Sequence, residues 1–596
     1  MTRHLNTSSR YIYPTAMKFT LQRVISLLIV AAVTCGAWSQ SFYLDGHKAV
    51  YDSRSNIWLC SVPQEVFGTN WTATVEIDST WTNVTINGTT VMNGWRYRFA
   101  NIKGGKKYPF TATTDTATLS GNITFTWLPV IELYGDINSE YSEGTVSING
   151  PDSTAKDDMR AKLKWRGHYS NLDGKHKRNY SIKFLDKDGE KKNRSFFGLR
   201  KDNHWKLDAG QADRLRIRNR VATELWLDMS TKPWYQDIEP ELINGSRGRT
   251  TELFLNGEYR GIYGLIEPVD RKQLKLIKHD TIDNVFHGQL WFSWQWCRTA
   301  TMSNPIAYDN SKDMWDGIEL DYPEFEDVHP TDWSTLANAI TFVKRMDNVD
   351  NWATLTDSIG YYFDLPVMLD YFIFIISLQA LGNESINIYY STYDKAQNCP
   401  LTMTAWDLDN TVGSKHFADW SANLYSPTRP LDWISNLAFN DLFYNTKYRK
   451  TMIDRYWQLR RTWLNTENLV ARYQSAVDEL EQCGASAREE DLWSGDSDIN
   501  GRTLDISDEM TYVANWIRKR MAYLDANVFA REAIAGDING DTKVDIEDIT
   551  ELISRILNGT GGYVSEGDIN SDGMIDINDV TDLIGIVLGL DKVSRL

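Results

Sequence analysis

The sequence predicts a multidomain fold: an N-terminal all-β module, a central α+β domain with a helical C-terminal part, and a small C-terminal α module built on two acid-rich loops. Three observations predict it. Residues 42–130 alternate β-branched or aromatic residues with polar ones between Asn-Gly and Gly-Gly reversals. Beyond about residue 131, such strands interleave with stretches that repeat apolar residues at helical spacing. The chain then closes on two near-copies of one motif, GDINGDTKVDIED (536–548) and GDINSDGMIDIND (567–579). The predicted boundaries are 1–40, 41–130, 131–532 and 533–596.

The first segment reads as an export leader. From Met17, the expected start, Lys18 and Arg23 precede the apolar run Val24–Val33, and Ala37 and Ser39 occupy the minus-three and minus-one places of a secretory cleavage site. The run is too short to span a bilayer, and no other stretch reaches the roughly 18 apolar residues a membrane helix needs. Cys35 offers a weaker, lipoprotein reading, because Ala32-Val33-Thr34 is a poor approach to a lipidated cysteine. The chain is therefore expected to be secreted or held at a cell surface.

In the β module, WTATVEID, TNVTING, YRFANIKGGKKYPFTA and GNITFTWLPV supply the strands of a small antiparallel structure. In the central domain, AKLKWRG, NYSIKFLD and TTELFLNGEYRGIYGLIEP read as strands. DRLRIRNRVATELWLDM and DLPVMLDYFIFIISLQAL read as helices. Residues 440–530 are helical and rich in Trp and Arg.

Charge limits the partners. The 596 residues carry a net charge of −17, and 536–590 account for −10 of it, with 12 Asp and Glu against 2 Lys and Arg. An acidic chain is a poor general binder of nucleic acid or anionic membrane. Beyond the leader, Cys60, Cys297, Cys399 and Cys483 are widely spaced without a CxxC pair, so neither a zinc site nor a dense disulfide framework is indicated, and one or two bridges would be unassignable.

The repeated motif has the spacing of a calcium loop. Numbered from Asp537, side-chain oxygens fall at positions 1, 3, 5, 9 and 12 as Asp537, Asn539, Asp541, Asp545 and Asp548, with Lys543 at position 7 offering its carbonyl. The second copy repeats this as Asp568, Asn570, Asp572, Asp576 and Asp579, with Met574 at position 7. Carboxylates this close repel one another unless a divalent cation lies between them, so the loops should form when filled. Ile549, Leu552, Ile553, Ile556 and Leu557 follow the first loop, and Val580, Leu583, Ile584, Val587 and Leu588 the second. Asn558-Gly559 and Gly589 act as stops, and the two apolar stripes should pack together. Over about 55 residues the segment resembles a type I dockerin, two calcium loop–helix units without the incoming helix of an EF-hand. The resemblance implies two calcium ions and docking onto a cohesin of a scaffold or surface protein. Thr542 stands where EF-hands favour glycine, whereas Gly573 is present in the second loop.

No GxSxG or HExxH occurs, the nine histidines are scattered, and 80 acidic residues leave no glycosidase pair assignable. Three central stretches carry more: KWRGHYSNLDGKHKRNYSIKF (164–184), LNGEYRGIYGLIEPVD (255–270) and GNESINIYYSTYDKAQNCPLTMTAWDLDNTVG (382–413). Together they resemble the CotH family of spore-coat-type kinases over roughly residues 130–470, although His168 and Tyr169 depart from the usual Arg-Gly-Asn-Ser. The resemblance implies a magnesium- and ATP-dependent phosphotransferase acting on exported proteins. Asn387, Asp407 and Asp409 would hold magnesium and nucleotide. Lys183, or in second place Arg166, would meet the phosphates, and Glu267 would orient the lysine. Relatives carry an aspartate five residues before the asparagine matched by Asn387. Here Gly382 stands in its place, leaving Glu384 as a displaced base and a pseudokinase as one outcome. The alternatives are a non-catalytic structural or glycan-binding subunit of a cellulosome-like assembly, and a carbohydrate-active enzyme with an unrecognised site.

Overall fold

The computed structural model describes residues 42–590 apart from 168, 280–284, 329, 347–356, 415–422, 532–533, 541–542 and 559–564. The leader with Met17 and Cys35, and His168, Asp541, Thr542 and Gly559, lie outside the described residues. The described chain divides into two compact units. One draws on residues 42–134, Thr145–Met159 and Glu252–Arg260, the other on Gly135–Gly144, Arg160–Thr251 and the described residues of 261–590.

In the first unit, β1 (Phe42–Leu44), β2 (His47–Asp52), β3 (Ile57–Ser61), β4 (Trp71–Ile77), β5 (Asn83–Ile86), β6 (Thr89–Val91), β7 (Arg96–Phe99), β8 (Tyr108–Thr113) and β9 (Thr118–Thr126) form one sheet. The strand order is β6-β5-β8-β9-β3-β2-β1-β4-β7. Pairing is antiparallel as expected except between β3 and β9, which run parallel. Alternation turns Phe42, Trp58, Trp81, Phe99, Phe110 and Phe125 into a common core. Their rings meet edge-on or tilted, as Phe42 and Trp58 do at 5.9 Å.

The next strands are β10 (Val130–Tyr134), β11 (Ser142–Gly150), β12 (Ser153–Arg166), β13 (Asn179–Phe184), β14 (His204–Asp208), β15 (Gly248–Leu255) and β16 (Glu258–Ile266). In the first unit β10 pairs antiparallel with β11 and parallel with β15. Asn256 and Gly257 both take positive φ, the tight turn their types favour, before β16. In the second unit β12 pairs with β13, β13 with β14, and β14 with β16, all antiparallel.

The second unit also holds β17 (Gln289–Ser293), β18 (Met314–Trp315), β19 (Ile318–Tyr322), β20 (Ile388–Thr392) and β21 (Leu401–Ala405), in sheet order β18-β19-β17-β20-β21. Its helices are α1 (Arg218–Met229), α2 (Ser334–Met346), α3 (Leu365–Leu378), α4 (Leu437–Tyr444), α5 (Thr446–Arg460), α6 (Thr466–Gln482), α7 (Ala485–Trp493), α8 (Ile506–Tyr523), α9 (Ile546–Asn558) and α10 (Ile577–Val587). Helix α3 is apolar on nearly every face and almost wholly buried, hence a core helix and not a membrane span. Among the described residues no helix is long and apolar enough to cross a membrane. Asn445 and Asn465 cap α5 and α6 by accepting two backbone N–H bonds each.

Two expectations need correction. Helix α1 starts at Arg218, not at Asp213. The Asp213 carboxylate accepts the N–H groups of Leu215 and Arg218, each at 2.8 Å, and Arg216 has a φ of 64°, so residues 213–217 form a pinned loop. In the C-terminal module, Ile549, Leu552, Val580 and Leu583 do pack together with Ile538. Ile553, Leu557, Ile584 and Leu588 are exposed, because two short helices cover only half of each other's apolar stripe. Cys60, Cys297, Cys399 and Cys483 are all free thiols.

Candidate functional site

Sheet register in the second unit gathers cations that are scattered in sequence. Lys162 pairs with Lys183 and Lys183 with His204; Lys164 pairs with Ser181 and Ser181 with Lys206; Arg166 pairs with Asn179. Directly paired residues share a face, so five cations stand on one side of β12–β14, while Ala161, Leu163, Tyr180, Ile182, Trp205 and Leu207 are buried on the other.

Two aromatic rings support this face. The Tyr141 ring lies 4.7 Å from Lys164 Nζ and 4.6 Å from Lys183 Nζ, and its hydroxyl is 2.9 Å from Ser181 Oγ, itself 2.9 Å from His204 Nε2. The Trp406 ring lies 4.5 Å from Lys206 Nζ and 5.5 Å from the Arg166 guanidinium. Burial, then Lys206 and Lys183, push His204 down to about 3, so its imidazole is neutral. Burial, then Arg166, lower the Lys206 amine to about 7 against the opposing pull of Asp321 and Asp270. Burial likewise raises the Asp321 carboxyl to about 7, with Lys206 opposing. This is a desolvated cation at the centre of a cationic sheet.

Strand pairing brings the candidate metal residues to the same ring. Asn387 precedes β20 and Trp406 follows β21. The Trp406 backbone N–H donates to the Asn387 carbonyl at 3.2 Å, and the Asn383 side-chain amide donates to the carbonyls of Asn387 and Trp406 at 3.3 and 2.8 Å. Asn387 and Asp407 thus stand beside each other, both in the left-handed region with φ of 55° and 56°, and Asp407 is exposed. In the turn that follows, Leu408 N–H donates to Asn219 Oδ1 at 3.0 Å, and Asn219 Nδ2 donates to Asp208 Oδ2 at 2.5 Å. Asp409 is pushed up to about 7 by burial, then by Asp208 and Asp213, with Arg218 opposing. A small cavity lined by Asp208, Asn219, Thr223, Tyr263 and Trp406 borders this turn.

The other sequence candidates sit differently. Lys183 lies one row further out, against Tyr141, and its amine is lowered by burial, with Glu324 opposing. Glu267 does not orient it. Its fully buried carboxylate accepts from Arg247 at 2.8 Å, from the Arg200 N–H at 2.6 Å and from Gln273 at 2.8 Å, because it follows β16, two strands from β13. Glu384 is 1% exposed and folds back to accept the Gly382 N–H at 2.8 Å. Burial pushes it up to about 7. Gly382 has a φ of 100°, a conformation that disfavours the aspartate expected there.

Sequence reasoning missed Lys206, His204, Asp208, Asn219 and Asp321. One signal was available: HWKLD alternates Trp205 and Leu207 with His204, Lys206 and Asp208, the pattern of a strand that is apolar on one face and polar on the other.

In the C-terminal module the acids at positions 1 and 12 of both loops are buried: Asp537, Asp548, Asp568 and Asp579. Backbone N–H groups hold the position-12 acids. Asp548 accepts from Asn539 and Asp545, each at 2.9 Å, and Asp579 from Ile569 and Asp576, each at 2.8 Å. Asp576 and Asp579 form a capping box at the start of α10. Asp572 accepts from the Met574 N–H at 2.9 Å. Among the described residues no three His, Cys, Asp or Glu side chains converge as a closed metal site. The buried oxygen-only donor sets still suit a hard cation such as calcium.

The architecture is that of an α+β protein with a cationic sheet site, joined to a duplicated acidic loop–helix module. Residues 163–524, more than half of the chain, match the CotH kinase protein family, and the chain belongs to that family. Residues 535–588 match the dockerin type I domain. Dockerins of this type bind calcium and dock onto cohesins, so the chain carries a cohesin-docking module. No curated protein matches the chain. Among solved structures, the titin Ig tandem domains are 10% identical, with 25% of this chain and 92% of that chain covered at a TM-score of 0.08, a likeness that carries no argument.

Proposed function

We propose that this protein is an exported nucleotide-binding member of the CotH family, tethered by its calcium-loaded dockerin to a cohesin on a scaffold or cell surface. Lys206, with Arg166 beside it, meets the phosphates on the sheet face. Asn387, Asp407 and Asp409 hold magnesium. An amide and two carboxylates fit that ion, which usually completes its shell with water and substrate phosphates and so needs no three-acid cage. When bound, magnesium supplies charge neutralisation at the phosphates. The cationic row orients the phosphate chain, and Tyr141 and Trp406 keep water from the cations' flanks.

The observation that carries this reading is the Trp406 ring, which touches Lys206 and Arg166 and is followed directly by Asp407. Transfer to an exported protein acceptor is slow in this reading, since Glu384 is turned into its own loop and Gly382 supplies no carboxylate. A glycan-binding role is the second reading: Trp58, Trp205, Trp226, Trp291 and Trp333 are core residues, which leaves exposed tryptophans such as Trp95, Trp234, Trp296 and Trp463 for sugar stacking.

Thermal shift with ATP and magnesium tests the proposal. Stabilisation is expected for the native chain and its loss for Asp407→Ala; a native chain indifferent to ATP with either magnesium or manganese refutes nucleotide binding.

A further inference from the structure

Lys162 and Lys183 stand directly opposite each other on β12 and β13, an arrangement that is destabilising for like charges. Past the end of β13 the chain turns back. Leu185 bridges antiparallel to Lys191, and the Lys192 N–H donates to the Phe184 carbonyl at 3.0 Å, so the Lys191 charge acts on Lys183 together with that of Lys162. Lys162 and Lys191 are exposed and Lys183 is half-buried. Among the described residues none of the three ammonium groups forms an ion pair; Lys183 has the Tyr141 ring at 4.6 Å, and Glu324 is the acid whose charge reaches it. Other basic side chains of the same unit are paired, as Lys177 is with Glu489, Arg218 with Asp213 and Arg200 with Asp270.

In a chain of net charge −17, a row of cations left to repel one another fits a ligand that brings negative charge. The phosphates meet Lys206 and Arg166 in the reading above, and the outer row lies beyond them. Lys162 and Arg166 are separated along β12 by about 13 Å at the rise of an extended strand, more than the roughly 8 Å over which exposed charges act at physiological ionic strength. A peptide laid along the sheet has the same rise, so its hydroxyl can face the phosphates while a carboxylate about two to four residues away meets the outer row. Asp186, Asp188 and Glu190, in the turn between Leu185 and Lys191, bound the row and disfavour a long polyanion. We infer that Lys162, Lys183 and Lys191 form a docking row for the acidic flank of a protein acceptor, a segment with Asp or Glu about two to four residues from its hydroxyl. This names the acceptor class of the proposed nucleotide site and rests on that reading.

The test is fluorescence anisotropy on the full chain with a labelled serine peptide flanked by a run of glutamates, and with its glutamine counterpart, each with and without magnesium-ATP. The glutamate peptide is expected to bind about tenfold tighter than the glutamine peptide at low ionic strength, with the difference shrinking as salt rises and persisting when magnesium-ATP is present. Lys162→Gln with Lys191→Gln should weaken the glutamate peptide about three- to fivefold, and Lys162→Glu with Lys191→Glu about tenfold or more. The charge-reversed variant should melt no earlier than the native chain, because a glutamate opposite Lys183 replaces repulsion with attraction. Equal affinity for the two peptides, or for the native chain and both variants, overturns the docking row; magnesium-ATP stabilisation that persists in that case leaves the nucleotide reading standing. Displacement of the peptide by magnesium-ATP overturns the row as well, since the peptide then sits on the inner cations, and so does a preference for polygalacturonate over the peptide. A chain that holds the glutamate peptide through these lysines yet ignores ATP overturns the nucleotide reading, and with it the role of the docked segment as an acceptor.

Discussion

The ammonium of Lys206 sits 4.5 Å from the centre of the Trp406 ring, and the residue after that tryptophan is Asp407. One indole therefore couples the cationic sheet of β12–β14 to the acidic turn beyond β21. Phosphoryl chemistry needs these two elements near one another, a cation for phosphate oxygens and carboxylates for the metal that bridges them.

The first prediction separates the two lysines. Lys206→Met should abolish magnesium-ATP stabilisation in a thermal-shift or calorimetric assay. Lys183→Met, one row outward on Tyr141, should weaken it only about two- to threefold, the scale of a distant charge at high effective dielectric. The reverse order would return the phosphate role to Lys183.

A pH dependence follows from the same burial. Lys206, lowered to about 7, and Asp321, raised to about 7, titrate as a coupled pair, so rising pH first removes the pair's net positive charge and then leaves it negative. Both changes oppose an anionic ligand, so ATP affinity should fall about tenfold from pH 6 to pH 8. His204, at about 3, stays neutral throughout and contributes nothing. Calorimetry at the two pH values should show the slope in the native chain and a flatter profile in Asp321→Asn, which keeps Lys206 but removes the titrating carboxyl beside it.

Much of this was legible in the sequence because it is local. The acidic loops repeat at fixed spacing, NYSIKF and WTATVEI alternate like strands, and the apolar stretch of α3 announces a core helix. Lys206 was missed because its importance is a matter of register: only pairing with Ser181, two residues from Lys183, brings it to the Trp406 ring. Glu267 misled for the same reason. Its motif is hairpin-like, but which cation it meets depends on Arg247, twenty residues earlier in the chain.

A third prediction concerns a buried junction. Glu489 on α7 is fully buried and accepts from Lys177 Nζ and Arg216 Nε at 2.6 Å each and from the Ile262 N–H at 2.7 Å. Glu489→Ala leaves two cations uncompensated in the interior and should destabilise by about 3–5 kcal/mol. Gly261→Ala should also be destabilising, since a Cβ there falls within 2 Å of Glu489 Oε2 and Gly261 has a φ of 89°. Urea unfolding followed by tryptophan fluorescence reads both shifts.

The position of Gly382 gives a fourth. Restoring the aspartate typical of the family should not restore transfer, because a residue with a Cβ at a φ of 100° is strained by about 1–2 kcal/mol and Glu384 already takes the local N–H. Gly382→Asp is therefore expected to melt earlier and to show no gain in phosphate transfer from labelled ATP. A gain would mean that the loop reshapes easily and that the missing carboxylate alone had silenced the chain.

Calcium removal should act on the dockerin and spare the rest. The carboxylates of Asp537, Asp548, Asp568 and Asp579 are packed inside a small module whose core is little more than Ile538, Ile549, Leu552, Val580 and Leu583. Burying four like charges around so few apolar side chains is unfavourable without a cation, and backbone N–H groups offset only part of it. A chelator should therefore lower helical ellipticity by the share belonging to α9 and α10 and speed hydrogen exchange across them, leaving α3 and α8 protected. Asp579→Ala should mimic half of this, since it removes one of the proposed calcium ligands and also the capping box that starts α10. Exchange in α9 and α10 that ignores the chelator would mean that the apolar core and helix caps suffice to hold the module.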